Sequence, residues 1–462
     1  MRLNREILRL AVPSILANIT VPLVGMVDMA IAGHLGTQGF SAAALIGGVT
    51  IGTMLFDLLY WNFGFLRVGT GGLTAQAYGR CLAAGTPTSG NEELGGILRR
   101  ALRMALLSGL VLITLQWVVV QLAFLVVDCS PEVRRLATQY FYLRVWAAPA
   151  TLSLFALKGW FIGLQDTVRP MTADLLVNGI NIAASFLLAL GVGGSGILLP
   201  GAPTLIPALG FPGIALGTVL AQWSGFLYCL AAARHRYAFR LLAPVPITGT
   251  GHFFALNRNL FLRSLGMIAV YIGFTVLSAR YGDVLLAVSA ILMKLLMFFS
   301  YFTDGFAYAG EALTGRFIGE GSRAGVQATV RGTFLWGLGV AALFLLLYGL
   351  GGVPIFRLMT DDAAVVEAGK AYLPWLLLMP LFGLPAFVWD GIFIGATASR
   401  DLRNSTLLCA LGFFGVWFAG IGLMPTPQAA IHLLMGAYFA HLAIRAGYLT
   451  LRYRPVVLTA IS

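Results

Sequence analysis

Charge is what this chain has least of. Only 10% of its 462 residues are Asp, Glu, Lys or Arg, against 59% hydrophobic, and the mean hydropathy is +0.87. A water-soluble chain of this size carries roughly a quarter of its residues charged, so a soluble globular protein is excluded. Cysteine is also scarce. Cys81, Cys129, Cys229 and Cys409 lie far apart with no CxxC, which argues against a disulfide framework or a zinc site. The five histidines (His34, His235, His252, His432, His441) form no HxxxH or HExxH pair, and no GxxxxGK[ST] occurs. Neither an enzyme nor a cofactor is expected, and nothing supports ATP drive. The formal charge of +12 does not point to nucleic acid, because the basic residues sit in short loops beside long apolar runs.

What is there is a series of apolar runs. A span needs about 20 apolar residues at 1.5 Å rise to cross roughly 30 Å of hydrocarbon. Twelve stretches qualify: 7–33, 43–68, 97–127, 136–163, 172–192, 211–233, 254–279, 284–311, 330–350, 371–396, 405–424 and 428–451. The first follows Arg2, Arg5 and Arg9 but is too long for the core of a cleaved signal, so it reads as a retained span. Glycine, at 56 residues, suits helices whose backbones approach closely in lipid.

Basic residues orient the spans. With both termini cytoplasmic, 22 of the 30 Lys and Arg fall in inner segments, Arg263 and Arg445 among them, and 5 in outer ones. Arg67, Arg144 and Lys294 fall within spans, where snorkelling to an interface is the expected role of the two arginines. The uncharged 191–212 segment, rich in Gly and Pro, reads as an outer loop.

The chain also repeats itself. Gly64-Phe65, Leu73-Thr74 and Gly79 recur as Gly305-Phe306, Leu313-Thr314 and Gly319, at offsets of 241 and 240. Gly159-Trp160-Phe161-Ile162-Gly163 recurs as Gly391-Ile392-Phe393-Ile394-Gly395, at an offset of 232. Two homologous halves are expected: an N-lobe, 1–240, with spans 1–6, and a C-lobe, 241–462, with spans 7–12. A cytoplasmic linker at about 234–258, including Pro244 and Pro246, would join them. Six spans per half leave both halves in one orientation, related by an axis along the membrane normal. Duplicated membrane halves enclose a central site and rock about it, which is transporter architecture.

Ionisable groups inside spans are costly and face interior cavities. Asp28, in span 1 beyond the helix-bending Pro22, is the sharpest of them. A carboxylate in a poorly hydrated pocket can hold a proton and release it when water enters; pairing of neighbouring helices is its blander role. In span 8, Lys294, Tyr301, Asp304, Tyr308 and Glu311 recur at three- and four-residue spacings, a polar stripe on one helix face. It is a candidate for substrate or ion contact, or for neutralising a basic partner. Asn178, Asn181 and Ser185 give span 5 an uncharged polar face. Asp57 lies in span 2. Asp390, in span 10, stands where the first half has Lys158, so a pair between the halves is conceivable.

These residues resemble the multidrug and toxic compound extrusion (MATE) transporters, and among them the DinF-like branch. The similarity is carried by Pro13-Ser14-Ile15 through Asp28 to Gly33-His34-Leu35-Gly36, and by Gly64-Phe65-Leu66-Arg67 through Tyr78-Gly79. Asp304-Gly305-Phe306-Ala307-Tyr308-Ala309-Gly310-Glu311, Asp390-Gly391-Ile392-Phe393-Ile394-Gly395-Ala396-Thr397 and Arg403-Asn404-Ser405 extend it to both halves. The resemblance implies an all-α membrane protein of twelve transmembrane helices in two pseudo-symmetric six-helix bundles. It implies export of amphipathic, often cationic, small molecules across the cytoplasmic membrane, in exchange for inward protons or, as the alternative, sodium. It further implies that Asp28 is the coupling carboxylate, with Asn181 beside it. Related members place a second acid one turn beyond that asparagine; Ser185 stands there here, which favours protons. A flippase for a lipid-linked precursor is the runner-up. The expected partners are small-molecule substrates and the bilayer, with the protein a monomer.

Overall fold

A computed structural model describes residues 2–35, 40–125, 127, 129–193, 203–244, 250–360 and 362–461. Gly36, the centre of the expected linker at 245–249 and the 194–202 part of the outer loop lie outside the described residues. The described chain is helical, with one isolated β-bridge, Val192–Ile206, pinning the ends of that loop.

Sixteen α-helices carry the fold: α1 (Arg2–His34), α2 (Ala42–Asn62), α3 (Phe65–Ala83), α4 (Glu92–Thr114), α5 (Gln116–Ala123), α6 (Pro131–Arg144), α7 (Ala148–Gly163) and α8 (Val168–Leu190). They continue as α9 (Phe211–Tyr237), α10 (Thr250–Ser278), α11 (Asp283–Gly319), α12 (Arg323–Met359), α13 (Ala363–Lys370), α14 (Leu373–Gly395), α15 (Ser399–Gly420) and α16 (Pro427–Arg452). Eleven helical stretches are long and apolar enough to cross a membrane. The twelfth, read from the sequence as one run over 97–127, is α4 and α5 bent by 66° at Leu115. The twelve spans form two pseudo-symmetric six-helix bundles.

Short polar side chains start several helices. Ser41, Asn91, Ser130 and Asp362 each accept a bond from a backbone N–H of the first turn, satisfying donors that a helix leaves open. In lipid such donors have no water to turn to. Pro13 and Pro22 lie inside α1, and each removes one rung of its ladder.

The repeated glycines explain themselves in the packing. A Cβ on Gly159 would overlap the Arg67 carbonyl, and one on Gly391 would overlap the Ala307 carbonyl. Arg67 and Ala307 are 240 residues apart, Gly159 and Gly391 232, so each half makes the same contact with its own copy of the motif. Where the halves meet, the contact is reciprocal: Gly79 lies on the Arg316 carbonyl and Gly319 on that of Gln76. No residue with a Cβ fits either place. Glu6 joins this seal by pairing with Arg316 at 3.2 Å, and Gln76 bonds the Gly395 carbonyl at 3.0 Å. The seal lies on the side of the amino terminus, where Ala11 and Ile15 of α1 also close against Gly305.

Candidate functional site

Two polar centres sit among the helices, one inside the first half and one between the second half and the α2–α3 junction. The first gathers around Asp28, on α1, which is 4% exposed. Its Oδ1 has no hydrogen-bond partner among the described residues. The Ser185 hydroxyl and the Arg144 guanidinium are the groups that act on it. Ser185, on α8, also donates to the Ile214 carbonyl at 3.3 Å. One turn earlier Asn181 donates to the Thr218 hydroxyl at 2.9 Å and keeps an unpartnered Oδ1, while Asn178 reaches back to Thr20 of α1 at 2.8 Å. The uncharged face read in span 5 thus knits α8 to α1 and α9. Arg144 does not snorkel. It donates to Thr53 and to the Tyr140 hydroxyl, both at 3.2 Å, and lies over the Phe56 ring. Asp57 is exposed.

The second centre is a cavity of about 420 Å³. One wall is Trp61–Val68 at the α2–α3 junction; the others come from α10, α11, α14 and α16. Tyr301, Asp304, Tyr308, Glu311 and Asp390 all line it. Lys294, the first member of the same stripe, is exposed and lies outside it. Glu311 is fully buried and pairs with Arg67 at 3.2 Å, and Arg67 also lies over the Tyr308 ring at 4.5 Å. Snorkelling is therefore wrong for Arg67 as well; it crosses to the other half. Asp390 accepts from Arg263 at 2.6 Å and from the Arg445 Nε at 3.1 Å. The conceivable Lys158–Asp390 pair is absent. Lys158 is paired with Asp174 of α8, inside its own half.

Arg263 and Arg445 are the site residues that sequence reasoning missed. Both were counted with the inner loops, yet both line the cavity, on α10 and α16. Their signal was present: Arg263 is thirteen residues into α10, and Arg445 is flanked by apolar stretches in α16. No group of three His, Cys, Asp or Glu suited to a metal ion occurs among the described residues.

The MatE family model matches residues 13–187 and 260–416. The chain belongs to that family. DNA damage-inducible protein F of Escherichia coli is 33% identical over 447 residues, covering 96% of this chain and 90% of that protein. A probable multidrug resistance protein NorM of Xanthomonas axonopodis is 26% identical over 422 residues, covering 90% and 84%. The crystal structure of the Vibrio cholerae MATE transporter VcmN in its bent form shares the fold, with a TM-score of 0.81 at 16% identity over 99% of this chain and 98% of that one. This MATE protein, on the DinF-like branch, is a multi-span membrane transporter for efflux of small molecules and not an enzyme.

Proposed function

We propose that this transporter is a secondary antiporter that exports amphipathic small molecules, cations among them, in exchange for inward protons. It works as a monomer in the cytoplasmic membrane, by alternating access of an N-lobe (1–240) and a C-lobe (241–462). Both termini face the cytoplasm, a placement supported by the excess of Lys and Arg in the segments on that side. The glycine seal then closes the cytoplasmic side, and the described conformation is the one that exchanges with the outside.

The observation that carries the reading is Asp28, a carboxylate buried inside a span with one oxygen unpartnered. Such a group gains or loses a proton as its surroundings dry or wet. Taken up from outside, the proton removes the charge and lets α1 close against α8; opened inward, Asp28 releases it and substrate rebinds. Ser185 gives this site a neutral hydroxyl in place of a second acid, which supports protons over sodium. One charge moving through about 150 mV is worth roughly 3.5 kcal/mol, enough for a few hundred-fold gradient of a neutral substrate.

Proteoliposomes loaded with a fluorescent amphiphile, under an imposed pH or sodium gradient, test this. Asp28→Asn should bind the probe normally while losing at least tenfold of its pH-driven transport. Undiminished pH-driven transport by that variant, or a response to sodium alone in the parent protein, removes the coupling claim.

A further inference from the structure

The cavity of about 420 Å³ holds six ionisable side chains whose pairing leaves two opposite poles. Arg67 and Glu311 match each other and are neutral as a pair. Arg263 and Arg445 share one carboxylate, Asp390, so that end carries one guanidinium more than it has acids. Arg263 gives its Nη2 to Asp390, while its Nε is buried without an acceptor among the described residues. A guanidinium offers five N–H donors and stays charged, so donor capacity is left over here. Asp304 is the opposite case. It makes no ion pair among the described residues, and Arg67, Arg445 and Arg263 act on it only from farther off. Three acids against three arginines make the cavity neutral in total yet polar in layout. Apolar and aromatic surface from Tyr271, Tyr301, Met267 and Met297 lines the same space.

We propose that this cavity is a binding site for amphipathic zwitterions: molecules of zero net charge with a carboxylate for Arg263, an ammonium for Asp304, and an apolar body for the Met and Tyr walls. The volume suits a drug-sized molecule. A bare cation gains Asp304 but leaves the surplus guanidinium beside Asp390 without a partner. A bare anion gains Arg263 but meets an acid with no cation bonded to it. Only the dipolar ligand satisfies both poles. Its role in transport rests on the antiport reading above: a neutral cargo exchanged for one proton moves one net charge, so voltage and pH gradient both drive it.

Three probes built on one fluorophore separate the poles. Nε-dansyl-lysine carries both charges, dansylcadaverine is the same molecule without the carboxylate, and dansyl-6-aminohexanoate is the same molecule without the ammonium. Binding to the full-length protein in nanodiscs is read by energy transfer from tryptophan, with Trp61 on the cavity wall. The expected dissociation constant of the zwitterion is at least tenfold below those of both singly charged probes. Arg263→Gln should raise it to the level of dansylcadaverine, and Asp304→Asn to that of dansyl-6-aminohexanoate. A singly charged probe binding the parent protein as tightly as the zwitterion overturns the proposal, as do variants that keep the parent's preference. If a variant fails to fold, the comparison in the parent protein decides alone. Asp28→Asn separates the two claims: unchanged pH-driven transport by that variant sinks the coupling and spares the site, while a parent protein without zwitterion preference sinks the site even where Asp28→Asn abolishes pH-driven transport.

Discussion

The two halves share a shape and differ in charge. Aligned by the repeats, with an offset of 241 at the Gly-Phe motif and 240 beyond it, Asp304, Tyr308 and Glu311 of α11 correspond to Phe63, Val68 and Gly71 around α3. The second copy of the motif thus carries two acids where the first carries phenylalanine and glycine. The arrangement is not accidental at Gly71, because a Cβ there would overlap Glu311 itself. One copy has no side chain where its twin sets a carboxylate across the junction. The other centre, around Asp28, has Arg144 as its charged neighbour and otherwise takes its polar contacts from small neutral groups, Asn181, Ser185 and Thr218. Duplication preserved the close backbone packing that lets the bundles seal, and left each half free to build a different interior.

Substitutions at matched places sharpen that contrast. Asp390→Asn leaves two buried arginines without their shared counter-ion and should cost about 3–5 kcal/mol, read as a large fall in thermal unfolding temperature in nanodiscs. At the equivalent place in the first half, Lys158→Met strips the less buried Asp174 of its partner and should cost less, about 1–3 kcal/mol. Equal losses at the two positions would erase the distinction between the halves. Gly79→Val and Gly319→Val come next, each forcing backbone apart at about 1–3 kcal/mol. Their effects should match, seen as raised labelling of a cysteine on the amino-terminal side of the seal, because the contacts are reciprocal. Arg67→Met and Glu311→Met should each destabilise the sealed form, while the double variant regains most of the loss. A coupling energy of about 1–3 kcal/mol is expected from that cycle; simple additivity would show that the pair does not hold the halves together. The smallest effect belongs to Asn181→Ala, about 1 kcal/mol for a neutral hydrogen bond, measured by the same unfolding assay.

Much of this was legible in the sequence because lipid imposes strong rules. Long apolar runs marked the spans, and the doubled glycine motifs marked elements that pack identically in each half. Tyr301, Asp304, Tyr308 and Glu311 of the span 8 stripe line one cavity, since a helix puts residues three and four apart on one face. Lys294, ten residues before Asp304, is exposed and stays off that wall, although Met293 and Met297 of the same helix still line the cavity. Arg263 and Arg445 were illegible for a different reason. Counting basic residues by loop treats every arginine near a span end as solvated, and only tertiary contact shows two of them bonded to Asp390. The conceivable Lys158–Asp390 pair failed because positions related by an axis need not meet. Asp174 is the nearer partner for Lys158, from the following helix.

Glu6 and Ile7 belong to the junction rather than to a free tail. Glu6 pairs with Arg316, and Ile7 is fully buried, with its side chain against Gly332 of α12. The opening turns of the chain therefore fasten α1 to α11 and α12. Trimming those seven residues, or crowding them with a bulky fusion, would strip the seal of an ion pair and of a buried apolar anchor at once.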